Sequence, residues 1–172
     1  ETSWGAVAKF FHWVVAVLLI IQITLGLNLH FIDFSPTKLE FINFHKVIGS
    51  TILLLILARL MWKLYNPRPS NHKLPKLHHI FSNITHFVLY FLLLIIPING
   101  MLYTWFSGFD VPILGLFDLP RLVSENKQLA KQLISIHYNL TLLLLGLFII
   151  HLCVALYHRF VINDKYGIWK RM

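Results

Sequence analysis

The chain has 172 residues, of which 57% are hydrophobic and only 13% charged. A soluble domain carries about 25% charged residues, so a water-facing surface cannot be built from this composition, and the same balance excludes a disordered chain. The formal net charge of +8 lies beside long uncharged runs and points to a membrane rather than to nucleic acid, while a single cysteine, Cys153, excludes an internal disulfide and a cysteine metal cluster.

Crossing a hydrocarbon core takes about 20 apolar residues in a helix. Four stretches qualify: residues 10–29, 41–62, 82–105 and 133–157. None shows the alternation of a strand, so the expectation is an all-α integral membrane four-helix bundle, formed as a single domain over residues 1–172. The first stretch is longer than a signal-peptide core and has no small-residue cleavage site, so it is expected to be retained. Loops are expected over residues 30–41, with Pro36, over the basic, proline-broken residues 65–80, and over residues 106–131. Ser124 followed by Glu125 resembles a helix cap, so the fourth helix is expected to project into water before entering lipid. With the N-terminus inside, ten Lys and Arg fall on the inner side and five on the outer. The positive-inside rule then places both termini in the cytoplasm of a multi-pass membrane protein.

Ten histidines are many for so apolar a chain. His30, His72, His78 and His79 fall in loops or at span ends and read as solvated groups. His12, His45, His86, His137, His151 and His158 fall in spans or close to their ends, where a polar side chain is costly and marks a functional hypothesis. His137 and His151 are 14 residues apart. They therefore share one helix face to within about 40° and stand roughly 21 Å apart along the axis. Matching depths pair His12 with His151 on the inner side and His45 with His137 on the outer side. Two imidazole pairs stacked across a bilayer suit two haems; zinc would want four clustered ligands. No C-x-x-C-H motif is present, so the haems are expected to be held without covalent attachment. Gly49 lies one turn after His45 and Gly26 lies 14 residues after His12, both where they leave room beside the outer site. Arg59, 14 residues after His45, reaches the inner level, where a haem propionate would satisfy its charge. Ordinary close packing for the glycines and snorkelling for Arg59 are the competing explanations. Depth alone leaves His86 open as an inner ligand, and His158 open as a supporting or quinone-site group.

The stretches Lys9-Phe-Phe-His12-Trp13, His45-Lys-Val-Ile-Gly49 leading to Arg59-Leu-Met-Trp62, His86-Phe-Val-Leu-Tyr90 leading to Pro97 and Gly100, His137 with His151, and Tyr157-His158-Arg159-Phe160 resemble the bacterial cytochrome b-561 family of four-helix dihaem membrane proteins. The resemblance covers nearly the whole chain. It implies His12 and His151 as ligands of an inner haem b, His45 and His137 as ligands of an outer one, and His86 as a non-ligand. Stand-alone members of this size look like superoxide oxidases, which take electrons from periplasmic superoxide and reduce ubiquinone. Lys46, Lys127 and Lys131 are then candidates to attract the anion, although the outer acids Asp33, Glu40, Asp110, Asp118 and Glu125 blunt the field. A quinone site is expected near the inner haem, with Arg59, His86, His158 and Arg159 as polar contacts. Competing expectations are a membrane cytochrome b subunit serving a dehydrogenase or hydrogenase, and a haem-free structural protein. No extra docking domain is evident, so no protein partner is required.

Overall fold

The computed structural model describes residues 5–66 and 76–162. The described chain runs α1 (Ala6–Asn28), α2 (Pro36–Tyr65), α3 (Lys76–Phe106), β1 (Val111–Ile113), β2 (Phe117–Leu119) and α4 (Lys127–Phe160). Four helices among the described residues are long and apolar enough to cross a membrane. Parts of the sequence reading lie outside the described residues: most of the loop over 65–80, with Arg68, His72 and Lys73, and the terminal charges Glu1, Asp164, Lys165, Lys170 and Arg171.

Three of the helices are longer than the span they must make. At about 1.5 Å per residue, the 30, 31 and 34 residues of α2, α3 and α4 exceed a hydrocarbon core. Their added turns are polar and so escaped a search for apolar runs. Pro36, expected in a loop, is the first residue of α2, where its missing N–H costs nothing. Ser35 caps that helix by accepting from the Lys38 amide at 3.2 Å. The cap of α4 is Asn126 rather than Ser124: its Oδ1 accepts from the Leu129 amide at 3.0 Å, and its own N–H donates to Phe106 O at 2.9 Å. Glu125 instead faces Lys127 at 3.7 Å.

The expectation of an all-α chain also needs correction. The segment between α3 and α4 carries an antiparallel hairpin, with Val111 opposite Leu119 and Ile113 opposite Phe117. Its turn places Leu114 at φ 54° and Gly115 at φ 70°. The left-handed region is unfavourable for leucine by roughly 1–2 kcal/mol, and Leu114 is held there by its N–H donating to Ser50 Oγ of α2 at 3.2 Å. The hairpin is thereby pinned to α2 close to His45, and Val111 is buried beneath it.

The close helix pairs are α3 with α4, α1 with α2, and α2 with α3. Among the described residues α4 makes no comparably extended backbone contact with α1 or α2. Each inward face repeats one pattern at intervals of seven residues: His12, Leu19, Gly26 on α1; His45, Ile52, Arg59 on α2; His86, Leu93, Gly100 on α3; His137, Leu144, His151 on α4. The first stripe recurs residue for residue 74 positions later as the third; the second and fourth, 92 positions apart, share the leading His and an apolar middle member, with Arg59 standing where α4 has His151. The chain is thus two helical hairpins built on one plan. The middle members form an apolar layer in which Leu19, Ile52 and Leu144 are buried and Leu93 is partly so. Polar groups lie above and below it. The opposite faces, with Val17, Ile20, Phe87 and Leu143 among others, are exposed and suit lipid.

Candidate functional site

At the outer level the imidazoles of His45 and His137 face each other across the gap between α2 and α4, with ring centroids 6.1 Å apart and planes at 73°. A glycine backs each ring. A Cβ placed on Gly26 would lie 2.9 Å from His45 Cε1, and one on Gly100 would lie 3.1 Å from His137 Cε1. These close approaches require a residue without a side chain. The backbone carbonyls of Gln22 and Ile96 lie beside the two rings, short of hydrogen-bond geometry to the buried Nδ1 atoms. A Cβ on Gly49, the other glycine expected beside this site, would meet Gln22 Nε2 at 3.1 Å, so this glycine leaves space for the glutamine amide.

Five buried polar atoms at this end of the bundle make no hydrogen bond among the described residues: Gln22 Oε1, His45 Nδ1, Asn99 Oδ1, Trp105 Nε1 and His137 Nδ1. A buried, unsatisfied polar atom costs about 1–3 kcal/mol. Five together in one part of the bundle are what a site for a polar, non-protein group would leave.

At the inner level His12 of α1 and His151 of α4 have centroids 6.5 Å apart, also at 73°. His86 of α3 lies 5.5 Å from His151, its Nδ1 directed to Ser82 O at 2.6 Å. Arg59 Nη1 stands 3.1 Å from His12 Nδ1. A guanidinium can only donate, so this nitrogen accepts. Arg59 and Lys63 both lie over the Tyr90 ring, at 5.8 and 4.7 Å from its centroid. His158, one further interval of seven along α4, is buried, whereas Arg159 is exposed.

Two imidazoles cannot chelate a bare ion firmly, and among the described residues no group of three or more His, Cys, Asp or Glu is placed to hold one. They do suit a metal whose other ligands come from a macrocycle. Imidazole nitrogens about 2.0–2.1 Å from a shared ion put ring centroids about 6 Å apart, and both facing pairs meet that spacing. The profile of prokaryotic cytochrome b561 matches residues 3–172. The chain belongs to the prokaryotic cytochrome b561 family. Membership makes it a multi-pass membrane cytochrome that carries electrons across the bilayer through haem b. A comparison with individual curated proteins gives no match.

For this cytochrome b561 the structure brings together His12 with His151, and His45 with His137, and sets Gly26, Arg59 and His86 beside them. Lys46 lies over Phe109 at 5.4 Å, with Asp118 nearby. Lys127 faces Glu125, and Lys131 lines a shallow groove with Gln128, Gln132 and Ser135. Gln22 and Asn99 had no place in the sequence reading, and Gly100 and Tyr90 entered it only in the stretches that carry the family resemblance. Gln22 and Asn99 carried a signal, since each is an amide inside an apolar span. Gly100 carried another, standing 14 residues after His86 as Gly26 does after His12.

Proposed function

We propose that this cytochrome b561 holds two b haems, the outer between His45 and His137 and the inner between His12 and His151, and passes electrons from superoxide outside to ubiquinone inside. The observation that carries this reading is the pair of facing imidazoles at each of two depths, 6.1 and 6.5 Å between centroids. His12 is preferred to His86 because the α3 backbone packs closely on α4, whereas among the described residues α1 makes no comparably extended backbone contact with α4. Held between two histidines, a haem would supply one-electron transfer without binding oxygen.

The protein's own groups set the rest. Gly26 and Gly100 give the outer imidazoles room. Arg59 has His12 Nδ1 as its acceptor, and a propionate is the stronger one; moving to it frees His12 for the tautomer a ligand needs. The apolar layer of Leu19, Ile52, Leu93 and Leu144 excludes water between the levels, so electrons cross without protons. Two superoxide anions each give up one electron and leave as oxygen; ubiquinone takes both electrons and two protons to become ubiquinol. His86, His158, Arg59 and Arg159 are the polar groups at the inner end for that quinone. Lys46, Lys127 and Lys131 attract the anion. The protein acts as one domain in a bacterial inner membrane, with both termini in the cytoplasm.

Purified, haem-loaded protein given superoxide and a soluble ubiquinone analogue is expected to form quinol well above the spontaneous rate, and the triple change of Lys46, Lys127 and Lys131 to Gln to slow it and flatten its salt dependence. A spontaneous rate from protein whose haem spectrum is intact would sink the superoxide step. One observation favours a second reading. Lys46 and Lys127 each have an acid nearby, a balanced surface that also suits docking of a dehydrogenase or hydrogenase delivering electrons to the quinone pool. Co-purification of such a subunit would select it.

A further inference from the structure

The two-hairpin plan makes residues comparable across the molecule. His45 and His137 hold equivalent places, each backed by a glycine and each beside a backbone carbonyl of the preceding helix, Gln22 or Ile96. Gln22 and Ile96 are themselves 74 positions apart, the interval that relates α1 to α3. The equivalence ends at their side chains. Ile96 presents an apolar group. Gln22 sends its amide to α2, where Nε2 donates to His45 O at 3.0 Å; its 3.3 Å approach to His45 Nε2 is to the nitrogen a metal would take, so the tie to the backbone oxygen is the one that ligation would leave in place. Gly49 leaves the space in which that amide sits, 3.1 Å from where a Cβ would be. An amide buried in an apolar helix with its Oε1 unsatisfied is not explained by helix packing, because an apolar side chain of the same length would pack without that cost.

We propose that Gln22 is a positioning residue for His45, tying this ligand to α1 and turning the positive end of its amide dipole toward the imidazole, so that the two outer ligands are held unequally and the outer haem is made easier to reduce. This rests on the two-haem reading. The electrostatic sense is simple. Reduction removes one positive charge from the site, so a partial positive charge beside a ligand favours the reduced form, and more strongly in a low-dielectric interior than in water. A raised outer level suits a site that receives electrons from outside.

The test is a redox titration of purified, haem-loaded protein, with low-temperature EPR of each haem. The outer step is identified as the one lost in His45→Ala. Gln22→Met keeps the side-chain length and removes the amide. It is expected to lower the outer level so that the oxidised-to-reduced ratio at a given potential rises about tenfold, equivalent to about 59 mV for one electron, with the outer EPR signal moved and the inner one unchanged. Gly49→Ala, which displaces the same amide while leaving Gln22 in place, is expected to shift the outer step in the same direction and serves if Gln22→Met binds no outer haem. Ile20→Met, on the exposed face of α1, is expected to leave both steps in place. Two haems per chain with an outer step that stays put, or rises, in Gln22→Met and Gly49→Ala overturns the role of Gln22 alone. Fewer than two haems in the unmodified protein overturns the two-haem reading and this proposal together.

Discussion

His45→Ala is expected to leave one haem per chain in place of two, with the four helices intact. His45 contributes to packing mainly through its ring against Gly26 and its approach to His137. Its loss removes one of the two ligands proposed for the outer level and leaves the His137 ring, already short of a hydrogen-bond partner at Nδ1, with none across the gap. A non-covalently held haem has little else to retain it there. The inner pair lies roughly 21 Å away along the helix axes, beyond the Leu19–Ile52–Leu93–Leu144 layer, and shares no side chain with the outer one. His151→Ala should give the reciprocal loss. The decisive control is His86→Ala. Its ring is closer to His151 than that of His12 is, 5.5 against 6.5 Å, yet both haems should remain, because the α3 and α4 backbones pack more closely than those of α1 and α4. Haem-to-protein ratio and the number of EPR signals settle each case. Loss of the inner haem in His86→Ala but not in His12→Ala would reassign that ligand.

The histidine pairs were legible because 14-residue spacing fixes face and depth together on a helix, and because the charged ends bound each span. The partners of those histidines were harder to read. Gly26 and Gly49 both lie on the faces that spacing gave them, but spacing yields a direction and not a neighbour. Gly26 meets the His45 ring, while Gly49 meets Gln22. Helix starts were missed at Pro36 and Lys127 for one reason. The turns outside lipid are polar, and their signals are caps, of which Ser124 and Asn126 offered two within three residues. The hairpin was beyond reach from pattern alone. Its strands have three residues each, too few for alternation to be seen, and Leu114 carries the turn in a conformation leucine rarely adopts, held by a contact to Ser50 that lies 64 positions away. The outer lysines show a further limit. Charge counting groups them on one side of the membrane, but their neighbours come from the fold: Lys46 lies over Phe109 and Lys127 beside Glu125.

The glycines give the other large expected effect, graded by distance. A methyl group added at Gly26 lands 2.9 Å from His45 Cε1 and must displace something. The atom it meets belongs to the ring that faces His137, so the displacement goes straight into ligand geometry rather than into a flexible side chain. Overpacking of this kind costs about 1–3 kcal/mol, and each 1.4 kcal/mol is about tenfold in affinity. Gly26→Ala should therefore weaken retention of the outer haem by about tenfold to a hundredfold. Gly100→Ala, at 3.1 Å from His137 Cε1 and 3.3 Å from its Nδ1, should do the same to a smaller degree. Gly26→Val should abolish it, since two more carbons enter the same gap. Gly146 is the internal comparison. It lies on the same helix as His137 and His151, and a Cβ there meets nothing within 4 Å, so Gly146→Ala should leave both haems bound and α4 no less stable. The measurement is haem loss from each variant to an excess of a haem-scavenging protein, followed by absorbance. Equal rates for Gly26→Ala and Gly146→Ala would mean that the outer ligand does not depend on the close approach of α1, and the slot between α2 and α4 would then have to be shaped by other residues.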